Sequence, residues 1–516
     1  MNKERIPQVF QPELVIALVG RMGADLSDVI DEIKGNARKF KYQSEDIKIT
    51  DIFGYLDHKY ELNDSNVELR YSSYIKACND LRRDSKRKDI FSLLAANYIK
   101  STRINIQSKR SRGTVYIVNQ IKKPEEISAL KSIYGEAFVV VSCHAPYEQR
   151  LASLAKKIAL GHGRDAPDTR SEQEAERLIE VDEKEANPWG QNVRAAFPQA
   201  DCIVDTTKRH EVAKTISRLF RLLFGNPKLS PSFEEYANNL ASQAALRSND
   251  LSRQVGAAIF DEHRTVISLG SNEVPRAGGG TYWNDHEEDG RDINSGHDPN
   301  TVKKRKLVID VVERLQKNGM LAKEWEGKDE DDLLSELIGN GDGVLGAARI
   351  LDILEYGRAL HAEMNAITDA SRSTRSTMGA TLYVTTFPCH NCAKHIVGSG
   401  ISNVFYLEPY AKSEVGSLYP DSICVDPSKP SKEKVNFQQF CGITKQRFHL
   451  FSKSKLKDAS GRLIAWKADE ADCLLRNNPS DFDRYEALFV DQLVPALAKA
   501  GVSILPGEED VQPSSH

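Results

Sequence analysis

His361-Ala362-Glu363 stands 28 residues before Cys389, and Pro388-Cys389-His390-Asn391-Cys392 supplies a second cysteine three residues on. One histidine and two cysteines make three protein ligands for zinc. A structural zinc fills all four positions with protein, whereas a catalytic one keeps the fourth for water. Cysteines at i and i+3 present both sulfurs to the same side of a helix, and Pro388 suits the entry to it. A helix N-terminus and a nearby metal both favour the thiolate. Two thiolates offset the charge of Zn²⁺ and leave a water acidic enough to react near neutral pH. Glu363 is two residues from His361, so on a helix it points elsewhere. It is expected to be no ligand but the group that carries protons beside the activated water. A zinc knuckle or a pair of reduced core cysteines would account for Cys-x-x-Cys alone, but not for His-Ala-Glu at this distance. His390 and His395, which flank the ligands, are read as surface or supporting positions.

These residues need elements to hold them. Ala380 to Thr385 reads as a strand leading into the cysteine helix, within a helix–strand–helix recurrence from Ala347 to Val404. Upstream, Phe233 to Arg247 reads as a helix, and Val255 to Phe260 with Val266 to Gly270 as a strand pair around the turn Asp261-Glu262-His263-Arg264. Gly278 to Pro299 is glycine-rich and acidic, hence a loop, and Val302 to Gly343 reads as an insertion with one or two helices.

The first half has a different rhythm. Leu14 to Val19, Thr114 to Val118 and Ala137 to Ser142 are short apolar runs that read as buried strands, with Asp201 to Asp205 a last one. Val29, Ile30 and Ile33, then Pro124 to Tyr134 and Glu211 to Phe224, read as helices between and after them. Strands alternating with helices predict a parallel sheet covered on both faces. Arg164 to Asn187 is strongly charged and is expected to be a mobile helical segment. Gly225-Asn226-Pro227 and Ser230-Pro231 punctuate the chain and set a boundary. The division expected is 1–227, then 228–455 with an insertion at about 278–350, then 456–516 as a helical extension with a disordered tail.

The 516 residues suit two or three domains. No run of eighteen apolar residues appears, so no membrane span is expected, and Met1 to Pro12 lacks the apolar core of a signal peptide. The 8 cysteines are too sparse for a disulfide framework. A reducing, cytoplasmic setting is expected. The net charge of -4 argues against long nucleic acid as the main partner.

H-x-E followed by P-C-x-x-C is the signature of zinc-dependent nucleobase deaminases, and at these residues the sequence resembles the cytidine and deoxycytidylate deaminase family, over about residues 230 to 455. Ser252-Arg253-Gln254-Val255-Gly256-Ala257-Ala258 resembles that family's entry to its first strand, and Gly270-Ser271-Asn272-Glu273-Val274-Pro275-Arg276 the segment whose asparagine contacts deoxyribose. The resemblance therefore implies Asn272 as a sugar contact. It implies Ser252, Arg253, Gln254 and Arg276 on the nucleotide side, and Tyr410 as an aromatic near the phosphate. It also implies an α/β/α fold for this half, Zn²⁺ as cofactor, and water and a deoxycytidine nucleotide as reactants. The stretch from Gly278 to Ile350 departs from a compact deaminase.

The N-terminal half resembles a P-loop kinase of the nucleotide-kinase type. Gly20 and Gly23 are the kind of residue that lets backbone amides approach phosphate, yet Ala24 and Asp25 stand where the lysine would fall, and Ser27 is out of register for the magnesium hydroxyl. Asn119 follows the second apolar strand where such kinases often place an acid. A degenerate, regulatory kinase fold is expected. The whole chain resembles bacterial anti-phage dCTP deaminases, which implies deamination of dCTP and dCMP in antiviral defence and, in some members, restraint by a small inhibitory RNA. A homo-oligomer is expected. The alternative reading is a nucleic-acid-editing cytosine or adenine deaminase; no aromatic and basic stacking track supports it.

Overall fold

The computed structural model describes residues 13–505, apart from 108–112, 186, 326, 340–342, 347, 410–412, 428, 454–455 and 476–478. It divides into two compact units: one runs up to Glu235 and resumes at Cys441, the other is Tyr236–Phe440. Among the described residues no helix is long and apolar enough to cross a membrane.

In the first unit, β1 (Leu14–Gly20), β2 (Gln43–Lys48), β3 (Thr114–Asn119), β4 (Phe138–His144) and β5 (Cys202–Asp205) form a parallel sheet in the order β2-β3-β1-β4-β5. β1 and β4 are buried along their whole length, as near-continuous apolar runs of a two-faced parallel sheet must be. β2, Gln-Ser-Glu-Asp-Ile-Lys, escapes a hydrophobicity reading because it is an edge strand with one buried residue, Ile47. Helix α1 (Ser27–Lys39) shares an apolar core with the helix Arg209–Leu223. Helices α2 (Val67–Ser85), α3 (Ile90–Gln107) and α4 (Pro124–Tyr134) lie between the strands in sequence. After β4 come α5 (Tyr147–Gly161) and α6 (Thr169–Glu183). The charged segment expected to be mobile is this α6, and it is packed: Ala175, Leu178 and Ile179 join Met22, Leu154 and Ile158 in one cluster. Most of its charges face outward, but Asp182 is buried and pairs with Lys122 at 2.7 Å.

The C-terminal segment corrects the expected division. From Cys441 onward the chain belongs to the first unit, not to the one that carries Cys389 and Cys392. Gly442–Ile443 pairs antiparallel with β5. Arg447 bonds to Asp201 Oδ1 at 2.9 Å and to the Phe138 carbonyl. The helix Pro479–Val490 brings Glu486 onto Arg103 and Tyr134, and Ser503–Ile504, within the expected disordered tail, pairs with Leu56–Asp57. Residues 506–516 of that tail lie outside the described residues.

In the second unit, β6 (Gly256–Phe260), β7 (Val266–Ser271), β8 (Thr381–Thr386), β9 (Asn403–Glu408), β10 (Ile423–Val425) and β11 (Val435–Gln439) form a sheet in the order β10-β11-β9-β8-β6-β7. β6 pairs antiparallel with both β7 and β8, and the remaining pairs are parallel. Two glycines record how tightly helices press on it. A Cβ on Gly256 would run into the backbone of Ala241 and Ala245, and one on Gly270 into that of Ala362 and Ala366. Gly270 pairs with Ala257, the neighbour of Gly256, so the two glycines face opposite sides of the pleat and helices cover both faces. The insertion carries helices Pro299–Lys317 and Glu330–Leu337 around its own small core of Val308, Ile309, Val312, Leu333, Leu337 and Ile338. Arg358 ties it down through Asp292 at 2.6 Å.

Candidate metal and active site

Two helices on one face of the second sheet begin at the site. His361 is the N-cap of the helix Ala362–Arg372, and Cys389 is the N-cap of the helix His390–Gly398. Ala362, Ala366 and Ala370 of the first helix and Cys392, Ala393 and Ile396 of the second pack into the same core as Leu382 and Val384 of β8. That shared packing sets the two N-termini side by side. Cys392, one turn into its helix, completes the group.

His361 Nδ1 lies 3.3 Å from Cys389 Sγ and 3.3 Å from Cys392 Sγ, and the three ligand atoms all fall within 4.8 Å of one another. Ligands of a tetrahedral zinc stand about 3.5 Å apart, given its usual bond lengths. The donor set therefore fits zinc, with one imidazole and two sulfurs and, among the described residues, no fourth His, Cys, Asp or Glu in the group. Among the described residues this is the single cluster of its kind; His390 and His395 fall outside it. The two cysteines share a proton: the hydrogen bond between them holds the Cys389 thiol down to about 4 and pushes that of Cys392 well above its ordinary range. A thiolate is what a metal site requires.

Glu363 is 4 % exposed. Burial lifts its carboxyl above the ordinary carboxylate range, which suits a group that must hold a proton and give it up. It sits in the first turn of the helix that His361 caps.

The surrounding wall differs in part from the residues read as nucleotide contacts. Glu273 and Leu360 form an antiparallel bridge, which places Asn272 opposite His361. The Asn272 side chain is engaged within the protein. Its Oδ1 accepts from the Val255 amide at 2.7 Å, and its Nδ2 donates to the Arg253 carbonyl. It thus fastens the loop 253–255 next to the zinc ligands. Ser252, Arg253 and Gln254 form an exposed turn on Asp250: the Ser252 and Arg253 amides donate to Asp250 Oδ1 at 2.9 and 3.2 Å, and Gln254 Nε2 to the Asp250 carbonyl at 2.8 Å. Arg276 is paired away, its Nη1 3.0 Å from His286 Nε2 in the insertion. Tyr410 lies outside the described residues.

Two supporting residues went unread in the sequence. Asn365, four residues after His361, donates to the Ser271 carbonyl at 2.8 Å, and Thr385 Oγ1 accepts from the Gly256 amide at 3.1 Å. The first follows the i, i+4 spacing that places it under His361; nothing local marks the second.

Residues 231–408 match the cytidine and deoxycytidylate deaminase zinc-binding region. The matched stretch contains every residue of the metal cluster and Glu363. Curated relatives include a deoxycytidylate deaminase of Enterobacteria phage T2, 40% identical over 85 residues, which are 16% of this chain and 45% of the relative. A deoxycytidylate deaminase of Saccharomyces cerevisiae is 26% identical over 310 residues, 58% of this chain and 77% of the relative. A crystal structure of a dCMP deaminase from cyanophage S-TIM5 aligns with 41% of this chain and 100% of its own at 15% identity, with a TM-score of 0.22. The phage matches are local: they span 45% and 30% of the T2 and T4 enzymes.

Proposed function

We propose that this chain deaminates free deoxycytidine nucleotides, dCMP and dCTP, to the deoxyuridine nucleotides. The observation that carries the reading is the His361, Cys389 and Cys392 cluster with the buried Glu363 beside it, inside a region that matches this family.

Zinc bound by His361, Cys389 and Cys392 would supply Lewis-acid activation of a water for attack on C4 of the cytosine ring. The remaining work falls to the chain's own groups. Glu363 carries one proton of the water to the ring nitrogen N3 as C4 becomes tetrahedral, then carries the second, from the new C4 hydroxyl, to the exocyclic amine, so that the C4–N bond breaks, ammonia leaves and the C4 carbonyl forms. One water enters, one ammonia departs, and no redox partner is needed. Asn272 holds the loop 253–255 and borders the sugar. Ser252, Arg253 and Gln254, just before and on that loop, stand on the nucleotide side, while Arg276 reaches a phosphate only if it leaves His286.

The wider reading is antiviral defence: a cytoplasmic homo-oligomer that depletes deoxycytidine nucleotides during phage infection. In it the N-terminal unit is a degenerate P-loop kinase-like regulator containing Gly20, Gly23 and Ser27, and a small RNA restrains activity. The strand order β2-β3-β1-β4-β5 and the loop after β1 support a nucleotide-handling ancestry for that unit. Purified full-length protein given dCMP, dCTP, CTP and single-stranded DNA separates the possibilities. Release of ammonia from the first two but not from DNA is expected; conversion of the DNA alone overturns the proposal. For the wider reading, protection of cells from phage that vanishes with Glu363→Gln is expected.

A further inference from the structure

One side chain of the insertion reaches back toward the metal cluster. Arg291, 5% exposed, caps the short helix Asp292–Ser295. One edge of its guanidinium is spent inside the insertion: Nε donates to Asp289 Oδ1 at 2.8 Å, and Nη2 to Asn284 Oδ1 at 3.0 Å. The remaining nitrogen, Nη1, is directed elsewhere. It lies 4.0 Å from Glu273 Oε2. The orientation of the Asn249 amide that satisfies both its ends has its oxygen accepting from Nη1 at 3.3 Å and its nitrogen donating to the Ser248 carbonyl at 3.3 Å. An ion pair that served the insertion alone would close within it, as Arg291 and Asp289 do.

Glu273 is 1% exposed. A carboxylate so buried needs donors and a counter-charge. Its Oε2 accepts from the Asn249 amide at 3.1 Å and its Oε1 from the Val274 amide at 3.0 Å. Arg247 also acts on it through its charge, but Arg247 Nη2 is engaged by the carbonyls of Thr281 and Tyr282. Arg291 is its ion-pair partner. Glu273 and Asn272 are consecutive, and each holds one end of the same loop. Glu273 takes the amide of Asn249, while Asn272 takes the backbone of Val255 and Arg253. The segment that carries both pins bridges to Leu360, the residue before His361. Between the pins stand Ser252 and Arg253.

We propose that Arg291 is a positioning residue for deamination: through Glu273 and Asn249 it sets where the loop 249–255 stands, and with it how tightly the nucleotide is held. It touches no reacting atom, so its effect falls on binding and not on the chemical step. This rests on the deaminase reading above, in which that loop is the nucleotide side of the pocket.

The full-length wild type is compared with Arg291→Met, Arg291→Lys and Asn249→Ala, with dCMP as substrate and hydrogen exchange followed over 249–255. Losing an interaction made equally in the ground and transition states raises KM and leaves kcat. Arg291→Met is expected to raise KM roughly tenfold, the scale of a lost hydrogen bond to a charged group, with kcat and zinc content close to wild type. Arg291→Lys keeps the charge and should bring the rise down to about threefold. Amides of 249–255 should exchange faster in Arg291→Met. Asn249 is exposed, so Asn249→Ala leaves the core closed; it should raise KM about threefold, as for one hydrogen bond. Combined with Arg291→Met it should add nothing, because the two act along one path. Should Arg291→Met fail to fold by circular dichroism, Arg291→Lys and Asn249→Ala take its place, each with its threefold rise and faster exchange. A fall in kcat at unchanged KM, additive effects, no recovery by lysine, or 249–255 amides as protected as in wild type each overturn the proposal. A wild type that releases no ammonia from dCMP refutes the deaminase reading instead, and the exchange of 249–255 then still decides whether Arg291 positions the loop.

Discussion

At the scale of single residues, the site separates metal holding from proton transfer, and two substitutions test the separation. Glu363→Gln keeps the size and burial of the side chain but cannot carry a proton. Zinc content and the thermal transition should match wild type, while kcat falls by about 10²- to 10⁴-fold, the usual contribution of a general acid–base group. Steady-state ammonia release and metal analysis on the same preparation check this, and turnover near wild type would remove Glu363 from the mechanism. Cys389 and Cys392 behave differently. With His361 Nδ1 3.3 Å from each sulfur, removing both leaves a single imidazole. The double change to Ala should lose the zinc outright, as measured by metal analysis after dialysis. Undiminished zinc would place the metal elsewhere. Asn272 shows why residue type alone misleads: its amide is already bonded to the backbone of Val255 and Arg253, so its first role is to shape the loop beside the substrate.

At the scale of elements, the site exists because two helix starts are brought side by side by close packing on one sheet face. The helix after His361 can press onto β7 because Gly270 has no side chain there. Gly270→Ala puts a methyl into the backbone of Ala362 and Ala366, immediately after the metal ligand. Overpacking of this kind typically costs about 1–3 kcal/mol, and the strain falls where His361 is aimed. The expected outcome is a lower melting temperature together with weaker zinc retention in a chelator competition. A stable variant with wild-type zinc affinity would show that the helix can shift without moving His361. The insertion, by contrast, has a small core of its own and is tied down through Arg358 and Asp292, so its helices pack largely on themselves.

At the scale of the whole chain, the return of residues from Cys441 to the first unit decides which fragments are viable. A fragment of residues 228–440 contains the second sheet and both helices of the site. It should be soluble and bind zinc. A fragment of 228–516 adds Phe482, Leu493 and Leu497, which are buried in the intact protein but would lose their cover. It should aggregate, as judged by gel filtration; equal solubility of the two would mean that the tail does not need the first unit. The same return creates a buried charge network. Glu486, 0% exposed, receives Arg103 at 2.5 and 2.9 Å and the Tyr134 hydroxyl at 2.7 Å. Removing one partner of a buried pair commonly costs about 3–5 kcal/mol when it leaves the other charge alone, but Arg103 keeps Glu13 at 2.9 Å. Glu486→Ala should therefore lower the stability of the first unit by less than that, about 1–3 kcal/mol as for a buried hydrogen-bond partner removed, in chemical denaturation, with little change in zinc content. A change below about 1 kcal/mol, the scale of an exposed pair, would show that the network is slack.

Short-range signals carried much of this in the sequence itself. His361, Glu363, Cys389 and Cys392 were legible because metal chemistry imposes residue types at fixed spacings, and β1, β4 and β6 because a strand buried along its length reads as a near-continuous apolar run. What stayed hidden depends on partners far along the chain. β2 is polar because it is an edge, and only its pairing with β3 makes it a strand. The stretch from Cys441 reads locally as a tail of the second half, but its apolar and charged groups find their complements on Asp201, Arg103 and Tyr134. Asp182 looks like one more acid in a charged helix, yet it is fully buried, because the Met22 amide and Lys122 meet it from 160 and 60 residues away. Local periodicity records which face of an element is apolar. Which distant group supplies the counter-charge is settled only when the elements pack, because desolvation makes an unpaired buried charge too costly to keep.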